Sequence, residues 1–81
     1  EIAAEVAELH RRVREHLARL LAGAREAGVI RLAGEPDAVS EVLFSLADGL
    51  AMRMLAEPSR DYGAALAMAM AAARALVLPA D

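Results

Sequence analysis

The chain has 81 residues, of which 58% are hydrophobic, and its formal net charge is −3. It contains no cysteine, which excludes disulfides and thiolate chemistry, and its acidic balance offers no basic patch for a nucleic-acid backbone. A domain of this size buries only about 60% of the surface that its unfolded chain exposes, so the apolar excess predicts association with another surface.

Three features of the sequence bear on where the protein resides. The longest uninterrupted apolar run, residues 64–73, has ten residues and is too short to span a bilayer. No charged segment followed by an apolar segment marks a signal peptide. The chain begins at Glu1 rather than Met, inside a helical pattern. Together these features predict part of a longer cytoplasmic protein.

The first predicted helix runs from the start of the chain to about Ala27. Its apolar residues recur at steps of three and four, which is typical of one helix face: Ile2, Val6, Leu9, Val13, Leu17, Leu20 and Ala24. Two charge pairs with i,i+4 spacing are expected on the opposite face: Glu8–Arg12 and Glu15–Arg19. Gly28 suits the position after a helix that needs left-handed backbone geometry. Residues 28–35 form a connection whose apolar side chains predict that it is held against the core.

The second predicted helix begins at Pro36, where a missing N–H costs nothing, and ends near Ala56, ahead of Pro58. Its large apolar residues cover more than half of the helical wheel: Val39, Val42, Leu43, Phe44, Leu46, Leu50, Met54 and Leu55. A narrower stripe contains small residues: Ala38, Val42, Ser45 and Gly49. We interpret this stripe as a site where another helix approaches closely, in preference to the opening of a ligand cavity.

The third predicted helix runs from Asp61 to Val77, with Ser59 or Asp61 as its cap. It has two apolar stripes, one bulky (Leu66, Met70, Ala73, Val77) and one made of methyl groups (Ala64, Ala67, Ala71, Ala75). Arg74 is the only charge between Asp61 and the end of this helix. A helix of a small monomer needs one apolar stripe and a solvated face, so this helix is expected to be covered on two sides, once by another chain.

Three helices with short connections predict an all-α, antiparallel helical bundle. No segment alternates between apolar and polar residues with period two, so no sheet is expected.

The inventory of reactive side chains argues against an enzyme. The only hydroxyl groups are those of Ser40, Ser45, Ser59 and Tyr62, and no phosphate-binding loop, H-E-x-x-H motif or nucleophile elbow is present. His10 and His16 are about 120° apart on the first helix, so they cannot share a metal. We expect no metal site and no cofactor.

Three polar residues border the apolar faces. His10 and His16 are interpreted as residues with the ring at the edge of the core, the alternative being that one points into a ligand cavity. Arg53 is interpreted as a snorkelling arginine or a partner of Glu57, the alternative being a cation in a pocket or dimer seam.

The order and spacing of three segments resemble the C-terminal region of TetR-family transcriptional regulators. The first segment is the helix end at residues 20–28, followed by Val29-Ile30-Arg31. The second is Glu35-Pro36-Asp37-Ala38, which opens a helix that contains Leu46-Ala47-Asp48-Gly49-Leu50-Ala51. The third is a turn with Pro58 and Arg60 before an Ala-rich helix. The resemblance covers essentially the whole chain.

The resemblance implies a ligand-responsive regulator, expected to be a repressor, whose N-terminal helix-turn-helix domain is absent from residues 1–81. The last two helices would pair with those of a second copy as an intersubunit four-helix bundle. We expect the interface to contain Val42, Leu46, Gly49, Leu50, Ala64, Ala67, Met68 and Ala71. The first helix would line part of a cavity for a small effector, with His10, His16 and Arg53 as candidate polar contacts.

A stand-alone helical dimerisation or adaptor module is the alternative to a regulator. The two differ in whether a basic helix-turn-helix of about 50 residues is encoded ahead of Glu1.

Overall fold

The computed structural model describes residues 1–81 and contains three helices and two short strands. In chain order the elements are α1 (Ile2–Glu26), β1 (Ile30–Leu32), α2 (Pro36–Ala56), α3 (Gly63–Leu76) and β2 (Val77–Pro79). The three predicted helices are therefore present, each with its ends within two residues of the predicted positions. No helix combines the length and the apolar content that crossing a membrane requires.

The end of α1 has the geometry that its sequence predicts. Gly28 has a φ of 76°, in the left-handed region that glycine enters without a Cβ clash. The N–H of Gly28 donates to the carbonyl of Arg25 and the N–H of Val29 to that of Ala24, both at 3.0 Å. These two bonds form a Schellman motif, which turns the chain directly from α1 into β1.

The expectation that the chain has no sheet was wrong. β1 and β2 pair as an antiparallel ladder with the register Ile30↔Pro79, Arg31↔Leu78 and Leu32↔Val77. A strand of three residues is too short to produce a recognisable alternation, and the pairing joins segments that are far apart in sequence. As a result, Val77 starts a strand rather than ending α3, and residues 28–35 are held through backbone hydrogen bonds.

The contact between α1 and α2 contains the few buried residues of the chain: Ala18, Leu21, Val39 and Ser40. Ala18 and Ser40 are small, which lets the two helices approach closely. The Ser40 hydroxyl donates to the backbone carbonyl of Arg14 at 2.7 Å, and the Arg14 guanidinium donates to the Glu41 carboxylate at 2.9 Å. A buried hydrogen bond and a half-exposed ion pair thus fix this crossing.

The turn between α2 and α3 is organised by polar groups rather than by apolar packing. The Tyr62 hydroxyl oxygen lies 2.7 Å from the carbonyl oxygen of Arg53 and 2.8 Å from that of Glu57. The Asp61 carboxylate accepts a hydrogen bond from the N–H of Gly63 at 2.9 Å. Of the two predicted capping residues, Asp61 is therefore the one whose side chain binds the start of α3.

The chain is flat, with principal dimensions of 41 × 35 × 14 Å. Only four of its 81 residues are buried. The radius of gyration is 14.5 Å, against about 12 Å expected for a compact domain of this length. The all-α prediction describes most of the chain, but the three helices do not enclose a core.

Candidate functional site

The outward surface of α3 is apolar over its whole length, and no residue of the helix is buried. Met68 is 74% exposed, and Leu66 and Met70 are also exposed. The run of alanine and methionine favours a helix here through high intrinsic propensity, so the segment is helical without a core to pack against. Such a helix leaves its apolar side chains available to a second surface.

The side of α2 that faces away from α1 continues this apolar surface. Val42 is 46% exposed, and Met52 and Leu55 are also exposed. A Cβ placed on Gly49 would have no heavy atom within 4 Å, so no helix of this chain packs against Gly49. The close approach predicted for the small-residue stripe is therefore not made at Gly49 within the chain.

We use the name α2–α3 surface for the eight residues that the sequence predicts at an interface. Six are exposed and two, Leu46 and Leu50, are half-buried. The exposed six are Val42, Gly49, Ala64, Ala67, Met68 and Ala71. Exposed apolar side chains, where they form a large patch, mark an interaction site.

The apolar stripe of α1 does not pack on α2, although it is the strongest pattern in the sequence. Leu9 is 59% exposed and Leu20 is 57% exposed. The residues that do face α2 are Ala18 and Leu21, about a quarter-turn round the helix. We name the exposed stripe the α1 outer face; it consists of Ile2, Val6, Leu9, Val13, Leu17 and Leu20. The small side chain of Ala18 was the sequence feature that marked the contact between α1 and α2. This feature is a weak signal in a chain so rich in alanine.

His10 lies on the α2 side of α1, where its ring meets the edge of Phe44. The ring centroids are 5.0 Å apart and the planes are inclined by 71°, a favourable edge-to-face geometry. An open depression of about 320 Å³ beside this pair is also lined by Glu41 and Asp48. His10 thus has its ring at the edge of the core, as interpreted from the sequence.

His16 and Arg53 lie at two other depressions. His16 is exposed and borders an open, largely apolar hollow of about 430 Å³ on the α1 outer face, beside Val13 and Leu20. Arg53 donates to the Glu57 carboxylate at 3.1 Å, the ion pair that the sequence suggested. It borders a hollow of about 460 Å³ at the α2–α3 turn. Each of the three candidate ligand contacts therefore lines a different depression, and their role in ligand binding stays a prediction.

The charged face of α1 carries a network centred on Arg11, which the sequence reading missed. The predicted Glu8–Arg12 pair is present at 3.0 Å, but Glu15 pairs with Arg11 at 2.9 Å rather than with Arg19. Hydrogen bonds from Arg11 and then Arg12 lower the pKa of Glu8 from 4.5 to about 2. The side chains of this network are 43–73% exposed, so it marks the solvated face of the helix rather than a reactive site.

No group of three or more His, Asp or Glu side chains is arranged to hold a metal ion. The chain presents one charged face on α1 and exposed apolar side chains on all three helices.

Comparison with known families identifies the domain. The family model of the BetI-type transcriptional repressor C-terminal domain, a TetR C-terminal family, matches residues 1–78. No curated protein and no solved structure matches the chain. The matched residues include all three helices and most of the ladder, and they favour a regulator over a stand-alone adaptor module. The chain belongs to the family of C-terminal domains of BetI-type, TetR-family transcriptional repressors, a family of regulatory domains.

Proposed function

We propose that this chain is the dimerisation and effector-responsive region of a transcriptional repressor. Two copies pair through the α2–α3 surface as an intersubunit four-helix bundle. A small molecule bound on the side of α1 alters DNA binding by an N-terminal helix-turn-helix domain outside residues 1–81. The observation that carries the proposal is the exposed α2–α3 surface of a chain that has only four buried residues and belongs to a repressor family.

The accessible surface supports pairing by its magnitude. The chain exposes 5843 Å², whereas a folded monomer of its mass is expected to expose about 4,700 Å². The difference, roughly 1,200 Å², exceeds the ~800 Å² that each partner buries in an interface of standard size and is in the range of obligate dimers. The excess of total accessible surface is thus of the size that one partner of the same kind can cover.

A two-fold axis suits the composition of this surface. A two-fold interface brings the same patch together from both subunits, so the partner of an apolar surface is equally apolar. The methyl groups of Ala64, Ala67 and Ala71 permit close approach of two backbones. Gly49 on α2 offers the same close approach to the helix that packs beside it.

The effector side of the proposal rests on the α1 outer face. Small-molecule sites are mostly apolar cavities with a few placed polar groups. The hollow between Val13, Leu17 and Leu20 has that composition, with His16 at its edge, but it is open to solvent. We propose that another part of the protein supplies the opposite wall of this hollow and closes it into a cavity. His10 or Arg53 contacts the ligand only if its side chain faces the closed cavity.

The test uses the full-length gene product and the 81-residue chain in parallel. Both are incubated with a library of random duplex DNA, and retained DNA is measured before and after addition of compounds found by thermal-shift screening of the full-length protein. We expect the full-length protein to retain particular duplexes and to release them with a binding compound. The 81-residue chain, with a net charge of −3, should retain none. Absence of DNA retention by the full-length protein would remove the regulator proposal.

A further inference from the structure

α3 is attached to the rest of the chain mainly at its two ends. None of its residues is buried, so side-chain packing along its length holds it only loosely. At its start, the Tyr62 hydroxyl bridges the carbonyl oxygens of Arg53 and Glu57 at the end of α2. At its other end, β2 follows Leu76 with no intervening residue. α3 is therefore a rigid rod with one anchor on α2 and a second anchor in the ladder.

The second anchor belongs to the α1 side of the molecule. β1 begins at Ile30, directly after the cap that ends α1. The ladder extends beyond its strands through a bond from the Ala33 N–H to the Leu76 carbonyl at 2.9 Å and one from the Ala80 N–H to the Val29 carbonyl at 3.2 Å. The direction in which the chain leaves α1 therefore sets the position of the C-terminal end of α3.

We propose that the β1–β2 ladder is the mechanical link that transmits a change at the C-terminal end of α1 to α3. A rod that is held at one end by α2 and at the other by α1 must reorient when these two helices shift against each other. The regulatory meaning of this link rests on the proposed function. α1 carries the face assigned to the effector and α3 carries half of the pairing surface, and the ladder joins the two.

Gly28 is the position at which the α1 end of the link can be disturbed without touching α3. Its φ of 76° strains any other residue, and an added Cβ would have no heavy atom within 4 Å. Gly23 is the matched control because an added Cβ there also meets nothing within 4 Å, while its backbone is ordinary helix. Gly28→Ala therefore places a methyl group where the backbone is left-handed and strained for alanine, whereas Gly23→Ala places the same group inside a helix, which alanine favours.

Leu78 is the position at which the link can be cut. The bonds at Ala33–Leu76 and Val29–Ala80 place Arg31 and Leu78 between them as a hydrogen-bonded pair, because such pairs alternate along an antiparallel ladder. Leu78→Pro removes the N–H of this central pair. Leu78→Ala keeps the N–H and serves as its control.

The experiment is amide hydrogen exchange of the full 81-residue chain, measured by NMR for the single and double variants. We expect Gly28→Ala to raise the exchange rates of α3 amides between Ala67 and Ala73 roughly tenfold, on the scale of the penalty for a left-handed alanine. In the Leu78→Pro background, Gly28→Ala should leave the α3 rates unchanged. Gly23→Ala should not raise them in either background, and Leu78→Ala should preserve the response to Gly28→Ala.

Two outcomes would overturn the link. One is that the α3 amides of Gly28→Ala exchange at the wild-type rate. The other is that Gly28→Ala raises these exchange rates as much in the Leu78→Pro background as in the wild-type background. A chain ending at Leu76 provides a second way to remove the ladder. Loss of helix in both cut variants, seen by circular dichroism, would make the ladder a folding requirement and contradict a link that acts on an α3 helix already formed. The assay contains neither DNA nor ligand, so its failure leaves the proposed regulator function standing, and the reverse also holds.

Discussion

Arg11 lies between two carboxylates on the charged face of α1, and this position sets the ionisation of Glu8. Hydrogen bonds from Arg11, the larger cause, and from Arg12 stabilise the carboxylate and lower the pKa of Glu8 to about 2. Glu8 and Arg11 lie one turn apart on the same helix face, so the bonds need no tertiary contact.

We expect carboxyl NMR titration to report a depressed pKa for Glu8, and Arg11→Gln to raise that pKa more than Arg12→Gln does. A carboxylate whose folded pKa is lowered contributes stability that is complete above its unfolded pKa of about 4.3 and is lost as pH falls towards about 2. The helix should therefore lose this contribution between about pH 4 and pH 2. An unchanged Glu8 titration in Arg11→Gln would contradict the assignment.

Ser40 is the most buried residue of the chain, with 1% of its surface exposed. Its hydroxyl donates a hydrogen bond to the backbone carbonyl of Arg14 in α1. This carbonyl also lies within hydrogen-bonding range of an amide of α1. Ser40→Ala should destabilise the chain by about 0.5–1.5 kcal/mol, the net value of one such bond. Ser45→Ala, on the exposed side of the same helix, should change stability by less than about 0.5 kcal/mol. Urea unfolding measures both, and equal effects would mean that Ser40 does not fix the α1–α2 crossing.

At the scale of the elements, the start of α3 depends on one tyrosine. Tyr62→Phe removes the hydroxyl that bridges Arg53 and Glu57, and each carbonyl keeps a backbone donor. We expect a loss of about 1 kcal/mol in unfolding free energy, together with faster exchange of the Leu66 amide, which bonds the Tyr62 carbonyl. Ser59→Ala, in the same exposed turn, should alter neither quantity. Slow exchange at Leu66 in Tyr62→Phe would show that other contacts hold this end.

The helices were predictable because local signals mark them. Pro36 and Pro58 bound α2, and Gly28 provides the left-handed residue after α1. The ladder was not predictable, because Ile30 and Val77 belong to strands of three residues whose pairing depends on the arrangement of α1 and α3. Only tertiary structure determines that arrangement.

The candidate site was predictable to a different degree. The two-sided apolar character of α3 was evident from spacing alone, and the structure leaves both stripes uncovered. The direction of the α1 outer face was not evident, because apolar periodicity identifies a face but not its partner. For the same reason His10, His16 and Arg53 could be placed at the borders of apolar faces but not at one common depression.

At the scale of the whole molecule, the chain is flat and has four buried residues. A domain with so small a core has little hydrophobic stabilisation of its own. Pairing of two copies would bury the α2–α3 surface of both at once. In an obligate dimer of this kind, folding and association are coupled, so stability depends on protein concentration.

The measurement that tests pairing most directly is sedimentation velocity, combined with thermal unfolding, at micromolar concentration. The wild-type chain should be a dimer. Ala67→Glu and Ala71→Glu each place two carboxylates in the seam, and an uncompensated buried charge costs roughly 3–5 kcal/mol. Both variants should therefore dissociate and melt at lower temperature, while Glu5→Ala, which is exposed on α1, should behave as wild type. A folded wild-type monomer, or two glutamate variants that remain dimers of unchanged stability, would contradict the account.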